Sequence, residues 1–209
     1  MARRTPVQAR SIESMNRMLE AGEQLFYEGG SPALTLEAVI ERAETSTGSF
    51  YARFGDMHGF LDAMHERVLA MLAIEVEAVV VRAVAATDLD TALRTYCIGI
   101  FDFLGRHRAQ TYYFAVGNTQ DAHWRAVGSQ FLLRNHEAFA QLVAPHLPAS
   151  SKAIAKRRID TAGRMIIAAA FQQIMFDHRE ISRISLSPKM VATDLAEMVT
   201  LYLRSTPTK

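Results

Sequence analysis

Apolar residues recur at helical spacing along most of the chain, whereas alternating apolar and polar runs of strand length are scarce. The first stripe includes Met18 and Leu25 and stops at Gly29-Gly30, a pair typical of a helix end. Gly22 interrupts this helix, which indicates close packing by a neighbouring helix. The pattern predicts an all-α protein with helices at roughly residues 9–28, 36–43, 47–54, 57–85, 90–106, 109–116, 121–144, 151–178 and 187–204.

Two short helices follow the first one, and each begins after a residue suited to capping. Thr35 precedes the first of them and Ser46 the second, in which Phe50 and Phe54 lie on one side. A helix, a short turn and a helix with apolar inner sides predict a helix-turn-helix unit at residues 35–54. The second helix of such a unit enters the DNA major groove.

The start of the second short helix carries chemistry that suits phosphate and base edges. Ser46, Thr47 and Ser49 supply hydroxyl groups and nearby backbone N–H groups at a helix N-terminus, where the helix dipole favours an anion. Tyr51 adds a phenolic donor one turn later. A helical hairpin used only for packing is the alternative, and such a hairpin does not need these hydroxyl groups.

These residues resemble the N-terminal signature of the TetR family of transcriptional regulators, over about residues 10–65. The resemblance rests on the run at residues 35–43, on Ser46 to Tyr51 and on Phe54. It implies that Phe50 and Phe54 hold the recognition helix onto the first helix. It also implies DNA contacts, chiefly with phosphates, by a set comprising Thr35, Ser46, Thr47, Gly48, Ser49 and Tyr51.

Three positions depart from the family pattern. Glu44 stands where a turn Gly is usual, so we expect a turn built without a position of positive φ, and a negative charge close to the DNA. Thr45 replaces an apolar turn residue. Met57 occupies a place where a Lys commonly reaches a phosphate, with His58 beside it as a weaker substitute. We therefore expect modest DNA affinity.

Charge gives only local support for DNA binding. Lys and Arg number 23 against 22 for Asp and Glu, a formal net charge of +1. Residues 1–55 hold six basic and seven acidic side chains, a net charge of −1. Arg3, Arg4 and Arg10 form a basic arm without an acid, which either contacts DNA, where Arg3 and Arg4 would enter a minor groove, or stays a solvated tail.

No residue pattern indicates an enzyme, a metal site or a cofactor. His58, Asp62 and His65 share a helix side without a fourth ligand nearby. Cys97 lies in an apolar helix without an adjacent His, so we expect a buried small hydrophobe. The longest apolar runs have seven residues, too few for a bilayer span, and no secretory signal follows Met1. We expect a cytoplasmic protein without a membrane partner.

The chain divides by this pattern into a three-helix helix-turn-helix head at residues 1–55 and a helical bundle body at residues 56–209. The body is rich in Met and aromatic residues, most of which are ordinary core. A pocket for an apolar or aromatic effector is expected in this body. Its candidate lining residues are Tyr96, Phe103, Tyr113, Trp124, Phe131, Met165 and Phe171.

The last two predicted helices suggest a homodimer. The run from Met165 to Phe176 is apolar on nearly all sides, and the last helix carries a stripe of Val191, Leu195, Met198 and Tyr202, with Leu201 and Leu203 outside it. Two such pairs would form a four-helix bundle across a twofold axis. The alternative is that both helices are buried within the monomer.

Together these observations predict a ligand-responsive DNA-binding transcriptional regulator. We expect a repressor that binds a palindromic operator in double-stranded DNA as a homodimer and that a small apolar or aromatic effector releases. The alternative is a helical small-molecule or partner-binding protein without sequence-specific DNA binding.

Overall fold

The computed structural model describes residues 6–117, 120–147, 151–176, 180 and 182–205, with side chains from residue 11 onward. All regular structure in these residues is helical, which confirms the predicted all-α class. The α-helices, numbered in chain order, are α1 Pro6–Gly29, α2 Leu36–Arg42, α3 Thr47–Phe54, α4 Met57–Val84, α5 Leu89–Arg106, α6 Arg108–Thr111, α7 Ala122–Val143, α8 Lys152–Met175 and α9 Pro188–Arg204.

Most predicted helices begin and end within three residues of these bounds, and the helix expected at residues 109–116 is present but is not one regular α-helix. There α6 is a single turn, and a π-helix, Tyr112–Gly117, continues it. Short 3₁₀-helices occupy Ser31–Ala33 and Ala144–His146. None of the helices in the described ranges combines the length and apolarity that a bilayer crossing requires.

Side-chain caps fix the start of several helices. The side chains of Thr35 and Ser46 accept hydrogen bonds from the backbone N–H groups three residues later, both at 3.2 Å. Asp56 accepts from the Gly59 N–H at 2.8 Å and so caps α4. Each cap satisfies an N–H group that has no partner within its helix, which is why these local sequence signals predict helix starts well.

The chain folds as two compact units, Met1–Ala70 and Met71–Lys209. The division lies within α4, because Phe60 and Met64, near the start of this helix, belong to the core of the first unit. A Cβ atom on Gly22 would lie 2.7 Å from the Phe60 ring. The close helix approach predicted at Gly22 is therefore confirmed, with α4 as the neighbour.

In the second unit, α5 packs most extensively against α9. Ala192 and Ala196 are at most 1% exposed, and their small side chains let the helix axes come close. On α9, Leu195 and Leu203 are buried, whereas Met198 of the predicted stripe is 60% exposed. Met198 and Leu203 are both apolar, and the position of α5 decides which of them faces the core.

Candidate nucleic-acid interface

The connection between α2 and α3 is a helix-ending turn built around Glu44. This residue has a φ of 47°, so the expectation of a turn without positive φ is wrong. The Glu44 N–H donates to the Glu41 carbonyl at 3.2 Å, and the Thr45 N–H donates to the Ile40 carbonyl at 3.1 Å. These two bonds form a Schellman motif, which normally has Gly at the left-handed position. The motif directs the chain sharply from α2 into α3.

The first turn of α3 presents donors to solvent. The Ser46 and Ser49 hydroxyl groups are 2.9 Å apart, and the Ser49 backbone N–H is occupied by the cap. Thr47 and Gly48 are exposed, and their N–H groups come too early in the helix for intrahelical partners. An anion at this helix end would meet free N–H groups and the positive end of the helix dipole.

The two sides of α3 differ in burial as the pattern predicts. Phe50 is fully buried, while Tyr51 is 48% exposed and touches the Phe50 ring edge-on at 5.9 Å. The Phe50 and Phe54 rings lie 5.2 and 5.0 Å from the Phe60 ring of α4. The ring cluster thus holds α3 against α4, a contact that the prediction of packing onto the first helix did not include.

Two arginines of this unit, Arg42 and Arg53, already have partners within it. Arg42 forms an ion pair with Glu28 at 2.7 Å, and Glu44 is exposed beside the turn. Arg53, at the end of α3, donates a hydrogen bond to Ser11 of α1, a contact that no sequence pattern predicts. Arg3 and Arg4 lie outside the described residues.

Beside the start of α4, Met57 is half-buried and His58 is exposed, 3.8 Å from Asp62. Within the described residues, no three His, Cys, Asp or Glu side chains come together as a metal site. Cys97 is fully buried, as predicted, and burial raises the pKa of its thiol to about 12.

The second unit contains a groove of about 720 Å³ between α5, α7 and α8. Of the seven candidate effector residues, Tyr96 and Phe171 line it. Tyr113 and Trp124 pack instead with Phe114, at ring distances of 5.1 and 5.0 Å from it. The remaining three lie elsewhere: Phe103 and Phe131 are buried, and Met165 is 50% exposed.

The groove also has a charged edge that the sequence analysis missed. His136 Nε2 lies 3.3 Å from Asp160 Oδ1, and Arg164 Nε lies 2.7 Å from Asp160 Oδ2. The hydrogen bond from Arg164 is the main cause that lowers the Asp160 pKa. The i, i+4 spacing of Asp160 and Arg164 could have indicated this pair, but His136 lies on a different helix.

Comparison with known proteins identifies the class of the first unit. Residues 18–64 match the model of the tetR family of bacterial regulatory proteins. No curated protein sequence matches the chain.

Solved structures resemble the chain over nearly its whole length. Salmonella enterica GusR has a TM-score of 0.64 at 15% identity, over 91% of this chain and 95% of its own. A TetR-like transcriptional regulator from Rhodococcus sp. RHA1 has a TM-score of 0.60 at 20% identity, over 90% and 94%. A transcriptional regulator from Aquifex aeolicus VF5 has a TM-score of 0.59 at 17% identity, over 90% and 98%.

Residues 18–64 are therefore a tetR-family segment, and the whole chain has a TetR-like fold. The predicted resemblance and the predicted architecture, a helix-turn-helix head and a helical body, are confirmed. A DNA-binding regulator is the class that this segment and fold support.

Proposed function

We propose that this protein is a ligand-responsive transcriptional repressor that binds a palindromic operator as a homodimer and leaves it when a small apolar or aromatic effector binds. The observation that carries the proposal is the two-sided construction of α3. Phe50 is buried on one side, while Thr47, Gly48 and Tyr51 are exposed at and near an open helix N-terminus. A helix used only for packing has no need of such a surface.

In this proposal the DNA contacts come from the start of α3, from Thr35 and from the basic arm. The N–H groups and hydroxyls at Thr47 and Ser49, together with Ser46 and Thr35, would bind phosphates and fix the register of the protein on the duplex. Tyr51 would add a contact one turn further along. Arg3 and Arg4 would enter the adjacent minor groove. In this proposal residues 1–55 are the DNA-binding domain and residues 56–209 the effector-binding and dimerisation domain.

Exposed apolar side chains on α8 and α9 support the dimer. Met165 is 50% exposed, Met198 60% and Leu201 64%. Burying these side chains against a second copy would remove apolar surface from water. The helix-turn-helix head of each subunit could then bind one half-site of the operator.

The effector would act through α4, which runs from the first unit into the second. A ligand shifts an equilibrium only by its preference for one state, and couplings of about 1–3 kcal/mol are typical. A ligand that favours a head spacing unsuited to the operator would release the DNA.

Selection of random DNA duplexes by the purified protein tests the proposal. The expected result is an enriched palindrome whose half-sites are about one helical turn, or a multiple of it, apart. A compound that binds the second unit should then lower affinity for that duplex. No enrichment at low salt would contradict DNA recognition.

A helical ligand-binding protein without DNA recognition is the second candidate. The groove of about 720 Å³ favours it, since ligand sites commonly have volumes of roughly 300–1,000 Å³. The ion pair of Arg42 with Glu28 and the exposed Glu44 favour it as well. Ligand binding without any enriched duplex would select this candidate.

A further inference from the structure

The groove in the second unit has an aromatic floor and apolar walls. Tyr96 of α5 and Phe139 of α7 are 3% and 1% exposed, and their ring centroids are 5.2 Å apart. Leu132 and Leu133 of α7 are exposed at the groove, and Phe171 of α8 lines its other side. Exposed leucines over buried rings form a surface that an aromatic molecule would remove from water.

Tyr96 brings an unused polar group to this apolar surface. Within the described part of the chain, its hydroxyl makes no hydrogen bond. Burial raises the Tyr96 pKa, so the hydroxyl stays protonated and is a hydrogen-bond donor. Tyr96 lines the groove, and its hydroxyl is not among the buried polar atoms that lack a partner, so a bound molecule can reach it. An acceptor atom on that molecule would form a hydrogen bond with this donor.

The charges at the edge of the groove are already paired. Asp160 lies between Arg164 and His136, with contacts of 2.7 and 3.3 Å. A Cβ atom on Gly163 would lie 2.7 Å from His136 Nδ1, so only Gly lets the His136 ring approach α8 closely enough for this contact. A charged ligand would lose its hydration on entering the apolar groove without gaining a free counter-charge, whereas an uncharged ligand avoids this cost.

We propose that this groove binds an uncharged, planar aromatic molecule with a hydrogen-bond-accepting oxygen, to which the Tyr96 hydroxyl donates. The inference rests on the proposed function in one respect, because it takes this molecule to be the effector class. Binding itself is independent of DNA and is measured without it.

The probe is 6-propionyl-2-dimethylaminonaphthalene, a neutral naphthalene ketone whose fluorescence emission moves to shorter wavelength in apolar surroundings. We expect saturable binding of one molecule per chain with such an emission shift. Replacing the propionyl group by a carboxylate keeps the ring and adds a charge, and this analogue should bind at least tenfold more weakly.

Two variants test the named residues. Tyr96→Phe removes only the hydroxyl, and ketone affinity should fall about three- to tenfold, while 2-dimethylaminonaphthalene, which lacks the oxygen, keeps its affinity. Ala168→Trp fills the groove from an exposed position and should weaken the ketone at least tenfold. Gln141→Trp, exposed on α7 away from the groove, is the matched control and should bind as the wild type does. Circular dichroism and melting curves verify that each variant is folded.

Several results would overturn the assignment: no ketone binding, equal affinity in Ala168→Trp, equal affinity in Tyr96→Phe, or a carboxylate that binds as tightly as the ketone. The assignment and the proposed function fail separately. If the protein binds the ketone but enriches no duplex, the ligand assignment of the groove stands and the proposed regulatory function is wrong. If the protein enriches a duplex but binds no ketone, the proposed regulatory function stands and the ligand assignment of the groove is wrong.

Discussion

Glu44 holds a backbone conformation that disfavours residues with a side chain. Its φ of 47° lies in the left-handed region, which costs a non-Gly residue about 1–2 kcal/mol. Glu44→Gly removes this cost, offset in part by the greater entropy of Gly in the unfolded chain. We expect a gain of about 0.5–1 kcal/mol in the free energy of unfolding, measured by urea denaturation.

The control for this change is Glu44→Gln, which removes the charge but keeps the Cβ atom. Its stability should stay within about 0.5 kcal/mol of the wild type. Equal gains in both variants would mean that charge rather than backbone conformation makes Glu44 unfavourable.

Gly22 provides space for α4. A Cβ atom there would lie 2.7 Å from the Phe60 ring and 2.9 Å from Met64 Sδ. Gly22→Ala should therefore destabilise the protein by about 1–3 kcal/mol, although Ala is the better helix former by about 1 kcal/mol. Gly128→Ala in α7 meets nothing within 4 Å and should stabilise instead. Thermal melting of the two variants measures both signs, and a stabilised Gly22→Ala would contradict the packing.

At the scale of helices, Glu75 joins α4 to the end of α5. Its carboxylate contacts His107 Nε2 at 2.8 Å and forms an ion pair with Arg106. Partial burial raises the Glu75 pKa, but the hydrogen bonds and the charges of His107 and Arg106 together outweigh burial, and the pKa is lowered. A lowered pKa adds stability above the ordinary Glu value of 4.5, and this stability is lost as the pH falls below it.

Glu75→Gln should thus destabilise the protein by about 0.5–1 kcal/mol at neutral pH, and the difference from the wild type should shrink towards about pH 3.5. Urea denaturation at both pH values measures this difference. Glu77→Gln, at an exposed neighbouring position, is the control and should have little effect. A constant difference across the pH range would show that the ionised carboxylate contributes nothing.

Local signals at the helices were predictable, and tertiary choices were not. Thr35 and Ser46 cap their helices through bonds spanning three residues, so the sequence alone could predict them. By contrast, Met198 and Leu203 of α9 are both apolar, and only packing against α5 buries the second. The helix at residues 109–116 was predicted, but its type was not, because periodicity does not distinguish an α-helix from the π-helix found there.

The candidate sites differ in the same way. The α2–α3 unit lies within 20 consecutive residues, so its pattern was sufficient to predict it. The groove combines Tyr96, His136 and Asp160 from three helices. No periodicity in one helix relates residues that far apart, and only Tyr96 and Phe171 among the expected residues line it.

At the scale of the whole molecule, the proposed homodimer depends on apolar side chains of α8 and α9. Leu201→Glu combined with Met198→Glu would place two charges in the proposed interface, and burying unpaired charges is costly. We expect analytical ultracentrifugation to show a dimer for the wild type and a monomer for this variant. Val81→Glu, at a position that is 63% exposed on α4, is the control and should stay dimeric. A dimer that survives the double change would place the interface elsewhere.

The salt dependence of DNA binding tests the central claim most directly. On the duplex enriched by selection, the wild-type affinity should fall steeply with salt, because log K decreases by about 0.9 per neutralised phosphate for each decade of salt. The double variant Thr47→Ala, Tyr51→Ala changes only exposed side chains of α3 and should bind at least tenfold more weakly at every salt concentration. A shallow wild-type slope, or equal affinity in the variant, would contradict DNA recognition by α3.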